Sequence, residues 1–145
     1  MRQANDPRSF EPKLPPPNSR SARGRIAEDA ALRILAHRGY AVIDRNWRGG
    51  RGELDLVCRL GELMVFVEVR SRRAYHPGAA GGFGHVLECV RPDKLYRLRS
   101  AARAWLGAHP TARAGVSGYR FDLVALELAR DGQVEQVHVI EDIST

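Results

Sequence analysis

The stretch GELDLVCRLGELMVFVEVR, residues 52–70, decides the fold of this chain. Two runs rich in β-forming residues, at 53–58 and 63–70, are separated by a short segment that contains Gly61. Runs of this length on both sides of a glycine turn are typical of a β-hairpin. We therefore predict that the two runs are adjacent antiparallel strands.

The register of this hairpin decides which side chains meet. If Gly61-Glu62 forms the tight turn, with glycine in the first central position as a type II′ turn prefers, then Leu60 pairs with Leu63. Counting outward from that pair, Asp55 lies opposite Glu68, and directly opposed residues have Cβ atoms about 4.5–5.5 Å apart. A register shift of one residue would instead place the two carboxylates on opposite faces of the sheet.

The predicted juxtaposition of Asp55 and Glu68 indicates a metal site. Like charges placed directly opposite each other destabilise a sheet, and a divalent cation between them removes that objection. Mg²⁺ accepts one or two carboxylates and completes its octahedron with waters and substrate phosphate, so we expect Asp55, Glu68 and a strand carbonyl to hold Mg²⁺ or Mn²⁺. The alternative is an exposed, solvated sheet face on which Glu53 and Arg70 form an ordinary cross-strand ion pair.

The pattern outside the hairpin predicts an α/β domain with the element order α-β-β-β-α-β-β. Helical spacing, glycine and proline positions and β-rich runs locate the other elements. The predicted elements are a helix between Ser21 and Gly39, a strand from 40 to 46, strands at 53–58 and 63–70, a helix from Pro92 to near Gly107, and strands at 119–128 and 134–140. Arg120 and Asp122 share one face of the fourth strand, which predicts an internal ion pair.

Two segments are predicted to lack regular structure. Five of the eight prolines lie near the amino terminus, so we interpret residues 1–20 as a disordered Pro-rich tail. The remaining residues, 21–145, are enough for one domain with one core. The segment 71–90 contains four glycines and is predicted to be a mobile loop.

The composition of the chain predicts the class of binding partner and the cellular compartment. The chain carries 23 Lys and Arg residues against 17 Asp and Glu residues, a net charge of +6, which favours a polyanionic partner. No run approaches the roughly 18 consecutive apolar residues of a membrane-spanning helix, and no apolar segment follows the basic amino terminus as in a secretory signal. The two cysteines lack metal-site spacing. We therefore expect a cytoplasmic protein without membrane association.

Four arginines flank the hairpin at positions suited to phosphate contacts. Arg48 and Arg51 lie in a glycine-rich turn before it, and Arg72 and Arg73 follow it. The turn is not a P-loop, because it lacks the terminal Gly-Lys-Ser/Thr. We predict that these four side chains bind nucleic acid, although glycine-rich basic turns are usually solvated connections.

Two charged residues on the predicted helices are further candidates. Glu28 lies at the edge of the apolar stripe of the first helix, where it can face a cleft beside the sheet or form a plain surface carboxylate. Lys94, the only lysine after residue 20, lies in the first turn of the second helix, where the helix dipole disfavours a cation. A nearby phosphate or carboxylate would explain this position, and a lysine whose stem covers apolar surface is the alternative.

Several ordered motifs resemble those of the YraN family of bacterial proteins. The motifs are Gly24-x-x-x-Glu28-x-x-Ala31, Gly39-Tyr40, Arg45-Asn46, Gly52-Glu53-Leu54-Asp55-Leu56, Phe66-Val67-Glu68-Val69-Arg70 and Arg120-Phe121-Asp122. That family is assigned to the restriction-endonuclease-like fold, an α-β-β-β-α-β core with a mixed central sheet flanked by helices, and is similar to archaeal Holliday-junction resolvases. The resemblance implies that Asp55 and Glu68 are the acids of a PD-(D/E)xK signature, that Glu28 is a helix glutamate near the metal, and that the protein forms a homodimer.

One departure from the signature leaves the activity open. Its lysine is Arg70 here, and an arginine can stabilise negative charge but cannot readily accept a proton from water. Lys94 can supply the missing ammonium group. The leading hypothesis is a Mg²⁺-dependent endonuclease or resolvase-like protein acting on DNA. The alternatives are a non-catalytic nucleic-acid-binding module with a degenerate nuclease site, and a protein-interaction domain.

Overall fold

The computed structural model describes residues 20–74 and 90–144. The predicted tail lies outside these residues up to position 19, and the predicted loop lies outside them from 75 to 89. The elements are α1 (Arg20–His37), β1 (Ala41–Gly49), β2 (Gly52–Leu60), β3 (Leu63–Arg73), α2 (Pro92–Ala108), a 3₁₀ turn (Pro110–Arg113), β4 (Gly118–Leu128) and β5 (Val134–Ile140). The predicted element order is therefore confirmed.

The five strands form one mixed sheet in the order β1-β2-β3-β4-β5. Neighbouring strands are antiparallel except β3 and β4, which are parallel. Because parallel strands need a long crossover, the chain between β3 and β4 includes α2. The fold is the α/β, restriction-endonuclease-like core with a mixed sheet and flanking helices that the sequence predicts.

The hairpin of β2 and β3 has the predicted register. Leu60 pairs with Leu63, and Gly61 has the positive φ of 58° that the first central position of the turn requires. The far end of β3 differs from the prediction, because the strand continues to Arg73 through residues assigned to the loop. Parallel pairing with β4, up to Arg73 opposite Leu128, keeps this segment extended.

The helix α1 ends at His37, and Gly39, the predicted stop signal, lies in the turn directly after it. This residue has φ of 87°, and its N–H donates to the carbonyl of Ala36 at 3.1 Å. The next N–H, of Tyr40, donates to the carbonyl of Leu35 at 3.0 Å. These two bonds form a Schellman motif, in which a glycine adopts the left-handed conformation that ends a helix.

Each face of the sheet packs against one helix. Val65 and Val67 of β3 lie in the core that contains α1, whereas Met64 and Phe66 lie in the core that contains Trp105 of α2. Alternation along a strand explains this separation, because successive side chains point to opposite faces. The same alternation directs Glu68, the next even-numbered residue of β3, towards α2.

A buried ion pair stabilises the start of β4, as the sequence predicts. The guanidinium of Arg120 binds both carboxylate oxygens of Asp122, at 2.8 and 2.9 Å. The hydroxyl of Tyr40 donates to the same carboxylate at 2.9 Å, and the backbone N–H of Asp142 donates to it at 3.0 Å. Because Asp122 is fully buried, these contacts offset the cost of removing its charge from water.

Among the described helices, none is long and apolar enough to cross a membrane.

Candidate active site

The site forms where β2 and β3 separate. Their ladder ends at the pair Leu56 and Val67, although β3 continues to pair with β4 on its other side. Beyond this point the backbone N–H of Val69 donates to Oδ2 of Asp55 at 2.8 Å. A carboxylate therefore replaces a strand carbonyl as the partner of this amide, and it is held in the crevice between two central strands.

Glu68 lies in the same crevice and faces α2. Its side chain is 4% exposed. Its Oε1 atom lies 3.1 Å from Nε of Arg70 and 3.3 Å from Nζ of Lys94. Its Oε2 atom is buried and has no hydrogen-bond partner among the described residues. Two cations thus neutralise the Oε1 atom of Glu68. The Oε2 atom accepts no hydrogen bond from the described residues, and a buried acceptor without a partner destabilises the fold.

The charge of Glu68 acts on the carboxyl group of Asp55. Burial of Asp55 raises the pKa of its carboxyl, and the negative charge of Glu68 raises it further, to about 7. A hydrogen bond to Glu68 and the charge of Glu28 also raise this pKa, while the bond from Val69 lowers it. A buried carboxyl beside a partly buried one favours a proton or a cation between them.

Glu28 approaches the pair from α1, on the other side of the crevice. Its side chain is 18% exposed, and its Oε2 atom accepts a 3.0 Å hydrogen bond from Nδ2 of Asn46. The guanidinium of Arg45 lies 3.5 Å from the same oxygen and also contacts Asp29. These contacts fix Glu28 within electrostatic range of Asp55.

Asn46 is a residue of the site to which the sequence analysis gave no role. It lies inside β1 with φ of 51°, a left-handed conformation that asparagine tolerates better than most residues. The bond to Glu28 accompanies this unusual backbone. The sequence analysis ended this strand at residue 46, whereas β1 continues to Gly49 through its pairing with β2, so the position of Asn46 inside a strand was not available from the sequence.

Lys94 has the carboxylate neighbour that its helix position requires. It lies in the first turn of α2, and its ammonium group contacts Glu68 across the crevice. The favourable charge of Glu68 offsets the unfavourable helix dipole at this position. The structure therefore brings together in one crevice the five side chains predicted as the catalytic set, which are Glu28, Asp55, Glu68, Arg70 and Lys94.

A basic groove of about 300 Å³ adjoins the crevice. It is lined by residues of the β1–β2 hairpin, where Arg48 lies near the end of β1 and Arg51 lies in the turn, and by residues of α2. The lining residues are Arg48, Arg51, Gly52, Glu53, Lys94, Arg97 and Leu98. Lys94 belongs to both places, since it lines the groove and contacts Glu68. Arg97 is a groove residue to which the sequence analysis gave no role. Its spacing of three residues from Lys94 was the available signal.

Glycines bring the β1–β2 turn against α2 and so form this groove. A Cβ atom on Gly52 would lie 2.8 Å from the backbone oxygen of Arg97, and one on Gly50 would lie 2.8 Å from that of Ser100. The backbone N–H of Arg51 donates to the Ser100 hydroxyl at 3.0 Å. The glycines of the turn therefore permit close packing of two backbones.

The four arginines predicted to bind nucleic acid fall into three environments. Arg48 and Arg51 line the groove, and Arg73 is exposed at the end of β3. Arg72 instead forms an ion pair with Glu127, its neighbour on β4, with Nε 2.8 Å from Oε1.

The expected alternative pair of Glu53 with Arg70 does not form. Glu53 contacts Arg48, its partner in the β1–β2 ladder, at 3.3 Å. Arg70 turns instead to Glu68. The ladder between β2 and β3 ends before position 55, so residues beyond it need not face each other.

The fit of the site to a metal ion depends on its two central carboxyls. Within residues 20–74 and 90–144, no three His, Cys, Asp or Glu side chains are grouped closely enough to hold a metal by themselves. The donors available are the carboxyls of Asp55 and Glu68, including the buried Oε2 atom without a partner. This set suits Mg²⁺, which binds one or two carboxylates and keeps several waters.

Comparison with known proteins gives the family of the chain. A profile described as "Uncharacterised protein family UPF0102" matches residues 27–126, a range that includes all five side chains of the crevice. The chain belongs to the UPF0102 family. The resemblance to the YraN family is thereby confirmed.

Relatives in UPF0102 match most of the length of this chain. A UPF0102 protein of Streptomyces griseus is 45% identical over 115 residues, which cover 79% of this chain and 90% of that protein. UPF0102 protein SCO5602 of Streptomyces coelicolor is 43% identical over 116 residues, 79% of this chain and 83% of that protein. A UPF0102 protein of Anaeromyxobacter dehalogenans is 44% identical over 121 residues, 83% of both.

Proposed function

We propose that this protein is a Mg²⁺-dependent endonuclease, or a resolvase-like protein, that hydrolyses phosphodiester bonds in DNA. The observation that carries the proposal is the meeting of Asp55 and Glu68 in a crevice between two central strands. Buried like charges destabilise a fold unless something neutralises them. Such pairs are typical of functional sites.

Asp55 and Glu68 are the residues that would hold the cation. The raised pKa of Asp55, caused by burial and by Glu68, and the unpartnered Oε2 atom of Glu68 both support a positive ligand between them. When bound, Mg²⁺ or Mn²⁺ would supply positive charge for the scissile phosphate and lower the pKa of water.

The cationic side chains of the crevice would stabilise the charge that develops on the phosphate. In the hydrolysis, a water oxygen bonds to phosphorus and the bond from phosphorus to one ester oxygen breaks. The water loses a proton to solvent, and the leaving oxygen gains one. Arg70 and Lys94 lie on the same side of Glu68, where a phosphate oxygen would meet both. Arg70 stays protonated and does not act as the base.

Glu28 would orient the attacking water. It is held by Asn46 and Arg45 at the opposite side of the crevice from Lys94, and a fixed carboxylate can accept a hydrogen bond from water. In this proposal Asn46 is a positioning residue, since it acts through Glu28.

A second candidate is a DNA-binding module without catalysis. Its supporting observation is that Arg70 and Lys94 both contact Oε1 of Glu68, so that this carboxylate is already partly neutralised by the protein. A module of this kind would keep the basic groove. Its affinity for DNA would fall steeply with salt and would not depend on magnesium.

The test is cleavage of branched, flapped and single-stranded DNA with Mg²⁺ or Mn²⁺. We expect cleavage by the wild type and its loss in Asp55→Asn and in Glu68→Gln. Glu62→Gln is the matched control, because Glu62 is an exposed carboxylate in the turn of the same hairpin. Cleavage that survives both site substitutions would contradict the nuclease proposal. Binding without cleavage under every condition would favour the second candidate.

A further inference from the structure

An exposed tyrosine lies beside the basic groove. Tyr96 follows the groove residue Lys94 by two positions on α2, and it is 55% exposed, the most exposed of the large hydrophobic side chains among the described residues. The guanidinium carbon of Arg51 lies 5.9 Å from the centroid of its ring, within the range of a cation–π contact. Arg51 also lines the groove, so this contact joins the ring to the groove wall.

The charges of the groove suit a chain of phosphates. Four cations line it, and Glu53 is its one acid among the described residues. Glu53 is paired with Arg48, and Lys94 contacts Glu68, so the positive charges that remain in the groove are those of Arg51 and Arg97. They are contributed by the β1–β2 turn and by α2, on the two sides of the groove. Phosphates along a strand can contact such a row of cations.

The combination of a basic groove and an open aromatic ring is the means by which proteins bind single strands. Successive bases stack on aromatic side chains while the backbone follows the positive charges. In a duplex the base faces are already stacked on each other, so an aromatic ring finds no free face without unstacking. A groove of about 300 Å³ is also small beside a double helix.

We propose that the groove binds an unpaired segment of DNA, with one base stacked on Tyr96 and adjacent phosphates at Arg51 and Arg97. The strand continues towards Lys94, whose ammonium group contacts Glu68, and so reaches the crevice. The proposal deepens the proposed function and rests on it for the chemistry at Glu68. It names the substrate class as DNA that has unpaired nucleotides next to the cleaved bond.

The experiment measures binding without cleavage. Fluorescence anisotropy in EDTA compares a labelled single strand of about 20 nucleotides with a duplex of the same sequence. We expect tighter binding of the single strand. Tyr96→Ala should weaken that binding at least about fivefold, since one stacked base contributes this much or more, and should change duplex binding less than about twofold. Tyr96→Phe keeps the ring and should bind like the wild type.

A matched control and a second variant separate stacking from damage to the fold. Tyr119 is 50% exposed, at the start of β4, and Tyr119→Ala should leave binding unchanged. Tyr96→Leu keeps apolar bulk without an aromatic face and should lose as much affinity as Tyr96→Ala. Wild-type affinity in Tyr96→Leu, or an equal loss for the single strand and the duplex, would overturn the proposal.

The two proposals fail in different ways. Because EDTA removes divalent cations, the binding assay gives the same answer whether or not the protein cleaves DNA. Cleavage that depends on Asp55, together with wild-type affinity in Tyr96→Ala, would overturn the stacking proposal alone. Loss of single-strand affinity in Tyr96→Ala, together with no cleavage of any DNA, would overturn the nuclease proposal alone.

Discussion

The backbone N–H of Val69 donates a 2.8 Å hydrogen bond to the side chain of Asp55, at the point where β2 and β3 stop pairing with each other. The carboxylate therefore has a structural task as well as a proposed chemical one. An asparagine at position 55 keeps an oxygen that can accept this bond. Asp55→Asn is thus a variant that changes charge and retains the local contact.

We expect Asp55→Asn to alter the dependence of stability on pH. The pKa of Asp55 is raised to about 7 from the ordinary 3.8, so between these values the folded protein holds a proton that the unfolded chain has released. Wild-type stability therefore falls as pH rises from about 4 to about 7 and stays lower above it. Urea denaturation in EDTA should show this fall, by at least about 1 kcal/mol.

The Asn variant should lack this part of the pH dependence, while Glu62→Gln should keep it. Both variants remove one carboxylate from the same hairpin, and of the two only Asp55 is partly buried and lies beside a second acid. Parallel curves for the wild type and Asp55→Asn between pH 4 and 8 would contradict the raised pKa.

Divalent cations should stabilise the wild type above pH 7. When Asp55 and Glu68 are both ionised, binding of Mn²⁺ or Mg²⁺ favours the folded state. A free cation concentration of about ten times Kd raises the free energy of unfolding by about 1.4 kcal/mol. Thermal unfolding at pH 8 with increasing Mn²⁺ measures this, and calorimetry measures the affinity. Glu68→Gln should abolish the increase in Tm. An equal increase in that variant would show that the ion binds elsewhere.

Gly52→Ala should destabilise the β1–β2 turn. The added Cβ atom would lie 2.8 Å from the backbone oxygen of Arg97, and overpacking of this kind costs about 1–3 kcal/mol. Gly107 is the control, because it lies within α2 and has no heavy atom within 4 Å of the added Cβ. Gly107→Ala should instead stabilise the protein by about 0.5–1 kcal/mol. Guanidinium denaturation of both variants tests the two opposite signs.

Tyr40→Phe should destabilise the buried ion pair of β4. The hydroxyl donates to Asp122 and accepts from Arg120 at 2.9 Å, and its loss leaves part of a buried charge without a partner. We expect a loss of about 1–2 kcal/mol in the free energy of unfolding. Tyr119→Phe changes an exposed tyrosine and should alter stability by less than about 0.5 kcal/mol. Equal effects of the two substitutions would mean that the Tyr40 hydroxyl contributes nothing.

Local patterns predicted the hairpin register, which the structure keeps as far as Leu56 and Val67, whereas the predicted pairing of Asp55 opposite Glu68 does not form because the ladder ends there. A glycine turn and a period of two are properties of a short segment, and they placed Leu60 opposite Leu63 without information from the rest of the chain. The helix stop at Gly39 was predictable for the same reason. Lys94 was identified because its charge conflicts with its own helix terminus.

Contacts between distant segments were not predictable in this way. The extension of β3 to Arg73 depends on parallel pairing with β4, and Arg72 finds Glu127 through that pairing. The link between Asn46 and Glu28 depends on one left-handed residue inside a strand. The place of Arg97 in the groove depends on how closely the glycine turn approaches α2.

The separation of β2 and β3 has a consequence for how this protein can vary. The carboxyls of Asp55 and Glu68 are anchored on β2 and β3, the strands inside the sheet, where local opening costs more free energy than at the periphery of the fold. The groove, in contrast, is contributed by the peripheral β1–β2 turn and by a surface helix. Substitutions in the turn can therefore change the proposed binding groove and leave the geometry of the acidic pair intact.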